Sequence, residues 1–305
     1  MRILILGASG FVGTALGNAL SVRGHEVLAA DVDMAGSFHF DLAVPETADK
    51  LLQTLKPDTI VLLAGASSVG ASWKNPSGIF ELNTSGAIGV FESFLKHTPD
   101  SRLIFAGSSE EYGRACSIEN PFNEDDICTP SNPYALSKHS AAQVMKMLAG
   151  KNSSDFVHLR LANHFGPGQR KGFVIADFAS QIAEKIKRQD NSPITAGNLE
   201  AMRDFLFIDD VIDAYIKVIE AKRLSNFTYN VGAGKPTAIK TLLELMLEIS
   251  GCGSKIVIDP QKFRQADTPV LSLDSTRIKN ELKWQVTVPL KTALERTLDY
   301  WSSRC

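Results

Sequence analysis

A chain of 305 residues with 44% hydrophobic and 22% charged residues can bury one large core or two closely joined ones. Its formal net charge of −2 offers no positive field for nucleic acid or for a polybasic membrane anchor. No apolar run approaches the ~18 residues of a membrane span, and the run in MRILILGASG stops at Gly7, too short for a secretory signal. Cys116, Cys128, Cys252 and Cys305 lack the spacing of a metal site or a disulfide framework, which suits reduced thiols in a cytoplasmic protein. No bound metal is expected. Without secretion, the sequons at Asn83, Asn152 and Asn226 carry no weight.

In chain order, Arg2–Leu6 reads as a compact apolar strand. Phe11–Val22 reads as a helix, with Phe11, Val12, Leu16 and Leu20 near helical spacing. The pattern then predicts a strand over 26–30, a short β-type run before Asp41, a helix over 46–55 and a strand over 59–64. A long helical region over 76–97 precedes a strand at Arg102–Ala106. A helix over 134–149, started by Pro133, precedes a strand over 156–161. Such alternation implies right-handed crossovers and an α/β, doubly wound parallel sheet of the Rossmann type. After Asn163 the composition shifts, with Gly, Pro, Gln, Arg and Lys clustered between Gly166 and Gly172, and no second long series follows. We expect a dinucleotide-binding domain over 1–163 plus about 205–232. A smaller α/β substrate-binding domain is expected over 164–204 plus 233–305.

Gly7, Gly10 and Gly13, with Phe11 and Val12 between them, lie between the first strand and the first helix. A diphosphate needs close backbone approach there, and the helix N-terminus adds a favourable dipole. Asp31, at the end of the second strand, is placed to accept from adenosine ribose hydroxyls and to repel a 2′-phosphate, which favours NAD(H), with NADP(H) second. Asp41 and Leu42 are candidates for contact with adenine. Tyr134 and Lys138 are four residues apart, on one face of the predicted helix. A cation beside a phenol stabilises the phenolate and makes the phenol a usable acid or base. Ser108 closes the preceding strand, at the end where open α/β sheets bind ligands. His164 is expected to order its loop, Trp73 to pack, and Phe205 and Phe207 to lie in the core. The remaining histidines, His25, His39, His97, His139 and His158, have no metal-like clustering.

These segments, together with LLAGASSVGASW, SSEEYG, PYALSK, LRLANHFGPGQ, RDFLFIDDV and YNVGAG, resemble the extended short-chain dehydrogenase/reductases that act on nucleotide sugars, over nearly the whole chain. Arg264-Gln-Ala-Asp267 is similar to a degraded form of that family's Arg-Pro-x-Asp segment. Asn163–Gln169 and Ala196–Phe205 look most like the GDP-4-keto-6-deoxy-mannose reductases within it. The resemblance implies that Tyr134 donates a proton to the reduced carbonyl, that Lys138 binds the nicotinamide ribose and lowers the Tyr134 pKa, and that Ser108 bonds the sugar oxygen. It adds Leu63, Ala64 and Gly65 to the cofactor site. To the substrate site it adds Ser67, Ser68, Ser109, Glu110, Asn163, Arg170, Val174 and Asn198, with Arg203 and Arg264 as cations for the diphosphate. Lys171 is a basic neighbour in the same loop. A homodimer through the helices over 76–97 and 134–149 is implied as well.

The implied reaction is NAD(P)H-dependent reduction of a nucleotide-linked 4-keto-6-deoxyhexose, with a GDP-linked sugar first. A 4,6-dehydratase is one rival, because Glu110 stands where related dehydratases keep a proton-removing glutamate. Against it, Ser108 replaces their usual threonine, and their Arg-rich segment after Asn163 is missing. A 4-epimerase is a second rival, and a non-catalytic dinucleotide sensor a third. A sensor has no need of Ser108, Tyr134 and Lys138 together.

Overall fold

A strand whose successive residues are all large and apolar has to be covered on both faces. Arg2–Leu6 is such a strand. The computed structural model, which describes residues 1–32, 35–263 and 268–304, covers it in that way. The first half runs β1 (Arg2–Leu6), α1 (Phe11–Val22), β2 (Glu26–Asp31), β3 (Phe38–His39), α2 (Pro45–Leu55), β4 (Thr59–Leu62), α3 (Val69–Lys74), α4 (Pro76–Phe80), α5 (Ala87–His97), β5 (Arg102–Ala106), α6 (Pro133–Asn152) and β6 (Asp155–Leu161). The second half runs β7 (Asn163–Phe165), α7 (Val174–Arg188), β8 (Ile194–Ala196), β9 (Met202–Phe207), α8 (Ile208–Glu220), β10 (Thr228–Val231), β11 (Pro236–Ala238), α9 (Ile239–Ser250), β12 (Ile256–Ile258), β13 (Val270–Leu271), α10 (Thr276–Leu282) and α11 (Leu290–Ser302).

One seven-stranded sheet has the order β10-β6-β5-β4-β1-β2-β3, with every neighbour parallel. Ile3 and Ile5 enter one core with Val61, Ile104 and Val157, on the side where α1 packs against α8. Leu4 and Leu6 enter the other with Ile60, Leu62, Leu103 and Phe105, under α2, α5 and α6. This is the doubly wound parallel architecture that the alternation implies. The strands end in register, through the pairs Leu6↔Leu62, Leu62↔Phe105 and Phe105↔His158. Their carboxyl ends therefore form one continuous edge.

The second half builds smaller sheets. β9 lies between β11 and β13 and also pairs with β7, while β8 pairs with β12. Two acids of RDFLFIDDV fasten this region. Asp204 is 2% exposed and accepts from the amides of Ala233 and Gly234, each at 2.9 Å. Asp210 accepts from the amide and hydroxyl of Thr287 at 2.8 and 2.7 Å. Phe205 and Phe207 are buried, as expected.

Several predicted elements differ in detail. The strand over 59–64 stops at Leu62 because the amides of both Leu63 and Ala64 bond to the Leu6 carbonyl at 2.9 Å, which turns the chain. The helical region over 76–97 starts earlier, at Val69, and is interrupted. Asn75 caps a new helix at Pro76, and a π-helical turn spans Glu81–Gly86. That turn carries Asn83 against the Ala66 backbone, with its Oδ1 accepting at 2.9 Å and its Nδ2 donating at 3.0 Å. Trp73 is 42% exposed, against the expectation that it packs.

Gly13 has no room for a side chain. An added Cβ would lie 2.3 Å from the Gly7 carbonyl oxygen and 2.8 Å from the Ala8 Cα. Gly13→Ala is expected to cost ~1–3 kcal/mol through this overpacking. Gly17→Ala is the control, since its Cβ would meet only side chains, at 3.7 and 3.8 Å. Thermal denaturation should show a lowered Tm for the first variant alone, and equal Tm values would contradict the contact.

Candidate active site

The turn after β1 is shaped by close backbone approach. Gly7 has φ +95° and leaves no space for a Cβ, which would come 2.7 Å from the Ala64 amide nitrogen. Gly10 precedes α1 with no side-chain cap bond and no acid in the first helical turn. Gly7 and Gly13 let the turn close against Ala64 and against its own main chain, and the bare backbone this leaves at a helix N-terminus fits a dinucleotide diphosphate. Phe11 stacks on His164, with ring centroids 6.0 Å apart and planes 8° from parallel. His164 thus joins the glycine turn to the loop after β7, beyond the loop-ordering role expected of it. Asp31 reaches back to the same turn. Burial alone would raise its carboxyl, but the hydroxyl and amide of Ser9 donate to Oδ2 at 2.7 and 2.8 Å, and the Val32 amide to Oδ1 at 2.8 Å, so it is held below the usual carboxylate range.

The next two strand ends bring the reactive side chains together. Lys138 and Tyr134 share one face of α6, which begins with Asn132 as cap and Pro133 in its first turn. Lys138 Nζ donates to the Ala106 carbonyl at 3.0 Å, lies 4.8 Å from the Phe105 ring centroid, and would sit 3.4 Å from a Cβ at Gly65. Burial pulls its ammonium down to about 8, partly offset by Glu111. Burial pushes the Tyr134 phenol up to about 12. The Ser108 side chain opposes this, and the charges of Glu110 and Glu111 reinforce it. Burial is the largest influence on this phenol. A phenol held neutral is a proton donor.

The other expected residues surround this centre to different degrees. Glu110 accepts from Asn132 Nδ2 at 3.2 Å. Ser109 is buried, Ser67 is exposed, and Ser68 caps α3 through the Ala71 amide at 3.1 Å. Asp41 Oδ1 accepts from the Ala43 amide at 2.9 Å, and the Leu42 carbonyl packs where a Cβ on Gly86 would be 2.4 Å away. Asn163 and Val174 are half-buried, Arg170 is exposed, and Asn198 Oδ1 accepts from the Glu200 amide at 3.0 Å. Lys171 pairs with Glu184 at 2.7 Å. Arg203 is 3% exposed and donates to the carbonyls of Met202 at 3.0 Å and Thr268 at 2.5 Å. Arg264 lies outside the described residues.

Sequence reasoning missed Asn83, whose Nδ2 also donates to the Ser137 hydroxyl at 3.2 Å beneath the catalytic helix face. It also missed Glu111. His139 and His158, read as having no metal-like clustering, both contact its buried carboxylate, at 3.3 and 2.9 Å. The S-x-x-E spacing of Ser108 and Glu111 is a helix-start signature that could have pointed there.

Residues 3–232 match the model of the NAD dependent epimerase/dehydratase family. The chain belongs to this family. It is 28% identical over 303 residues to the GDP-6-deoxy-D-mannose reductase of Pseudomonas aeruginosa, covering 99% of this chain and 98% of that one. It is also 28% identical to the dTDP-6-deoxy-L-talose 4-dehydrogenase (NAD(P)(+)) of Kitasatospora kifunensis, covering 99% and 95%. Among solved structures, RMD of Pseudomonas aeruginosa complexed with NADPH superposes with a TM-score of 0.88 at 28% identity, covering 100% and 99% of the two chains. The UDP-glucose 4-epimerase of Thermotoga maritima with UDP-glucose superposes at 0.89 with 26% identity, covering 100% and 99%. An NAD(P) cofactor fits both the family and the glycine turn.

The Lys138 ammonium is lost as pH rises through about 8. If it holds the cofactor ribose, kcat/KM for NADH falls above that pH, since this ratio reports the free enzyme. Lys138→Arg should shift the alkaline limb upward, because a guanidinium stays charged. A pH–rate profile decides, and an unshifted limb would remove Lys138 from this role.

Proposed function

We propose that this chain is an NAD(P)H-dependent reductase of a nucleotide-linked 4-keto-6-deoxyhexose. The preferred substrate is GDP-4-keto-6-deoxy-D-mannose, giving a GDP-6-deoxyhexose such as GDP-D-rhamnose. The observation that carries this reading is Tyr134 and Lys138 on one face of α6, with the Lys138 ammonium bonded to the Ala106 carbonyl at the carboxyl edge of the sheet, two residues before Ser108. Bound NADH or NADPH would supply the hydride. Ser108 orients the sugar carbonyl oxygen, Tyr134 gives its proton to the nascent alkoxide, and Lys138 holds the nicotinamide ribose. Asp31 favours NADH through the ribose hydroxyls. Arg203 and Arg264 take the substrate diphosphate.

Exposed Leu136 and Met147, three helical turns apart on α6, support pairing of two copies through this helix. The free thiols of Cys116, Cys128 and Cys252 support a cytoplasmic site.

Tyr134→Phe should lower turnover of GDP-4-keto-6-deoxy-D-mannose by roughly 10²- to 10⁴-fold while NADH affinity stays the same. NADH oxidation and fluorescence titration measure the two, and near-wild-type turnover would sink the proposal. Parallel assays with UDP- and dTDP-linked keto sugars test the base.

A second reading, the dehydratase, draws on Glu110, whose charge acts on Tyr134 and whose carboxylate is held by Asn132. Under the reductase reading Glu110→Gln spares most ketone reduction, because no C5 proton leaves. Wild-type protein incubated with GDP-mannose and NAD(P) should then give no keto-6-deoxy product by NMR. Its appearance, and its loss in Glu110→Gln, would put the dehydratase first.

A further inference from the structure

Glu111 is fully buried beside the reactive centre and takes no part in the chemistry above. A buried carboxylate is costly unless it is paired and hydrogen-bonded, so its partners show what holds it in place. Oε1 accepts from the Ser108 amide at 2.9 Å and lies 2.9 Å from His158 Nε2 on β6. Oε2 lies 3.3 Å from His139 Nδ1 on α6 and 3.6 Å from Arg160 Nε on β6. His139 directly follows Lys138. One carboxylate thus touches the backbone of Ser108, the helix that carries Tyr134 and Lys138, and the strand beneath them.

The surroundings are shaped to this arrangement. A Cβ at Gly107 would lie 2.1 Å from His158 Nε2 and 2.5 Å from Glu111 Oε1, so only glycine leaves the space. The Ser108 hydroxyl accepts from the Glu110 amide at 3.2 Å and also from the Glu111 amide, which completes the reciprocal capping pair with Glu111.

We propose that Glu111 is a positioning residue, a buried clamp that sets the Ser108 hydroxyl at its working distance from Tyr134 by tying the Ser108 backbone to α6. The inference rests on Ser108 and Tyr134 acting together in the proposed reduction. Glu111 itself touches neither substrate nor cofactor.

The test uses the NADH-bound enzyme and GDP-4-keto-6-deoxy-D-mannose. Glu111→Gln should lower kcat about 10- to 100-fold, as sub-ångström misplacement does, with the NADH Kd changed by less than about twofold. Because the effect runs through Ser108, Glu111→Gln added to Ser108→Ala should cost nothing more. His139→Gln cuts only the tie to α6, and should repeat the pattern with a smaller loss should Glu111→Gln not fold. Full multiplication of the two losses, or an NADH Kd that worsens as much as kcat, overturns the clamp. Wild-type protein that does not reduce this ketone defeats the reductase reading alone. Amide hydrogen exchange then decides the clamp without substrate: faster exchange confined to 107–112 and 134–139 supports it, and unchanged exchange at Ser108 or a uniform rise overturns it.

Discussion

The fold turns on a contact between bare backbones. Gly7 and Gly13 are packed so tightly against Ala64 and against the turn itself that a single methyl group at either would collide with main-chain atoms. That contact fixes the end of β1 against the end of β4. The chain leaving β4 then passes directly to Gly65, beside the Lys138 ammonium. One steric constraint therefore places both the glycine turn and the buried Lys138 ammonium of α6. The hydrophobic cores on the two faces of the sheet supply stability, but the turn supplies the registry between halves of the site.

Around this frame the chain concentrates charge where its surface arithmetic gives no hint of it. Lys138, Glu111, Arg160, Arg203, Asp204 and His158 are all buried in a protein of formal net charge −2. Low dielectric makes each such group expensive alone and strong when paired. The result near Tyr134 is directional: carboxylates and desolvation hold the phenol's proton, while burial loosens the proton of the neighbouring ammonium.

How much was legible in the sequence depended on the range of the interaction responsible. Arg2–Leu6, Phe11–Val22 and Arg102–Ala106 have the bounds that local hydrophobic spacing predicts. The glycine turn and the YALSK face were equally readable, because spacing alone encodes them. The breaks within 69–97 depend on Asn83 reaching the backbone of Ala66, a contact across 17 positions that no local pattern shows. The β6 strand alternates as a half-buried strand would, yet it is buried on both faces, with His158 and Arg160 where apolar residues are expected, and their contact with Glu111, 47 positions before His158, accounts for them. Trp73 was misjudged because size predicts burial only on average.

The outermost strand of the large sheet has a consequence for how the chain is made. β6 ends at Leu161, but its neighbour β10 begins only at Thr228, after α7, β9 and α8 have intervened. During synthesis the first six strands can assemble while β6 still presents an unpaired, apolar edge to solvent or to another nascent chain. Arg160 on that strand, facing a carboxylate that is already present, places a charge on one face of the incomplete sheet. That charge would then discourage association between unfinished molecules until Thr228–Val231 arrives to close the sheet.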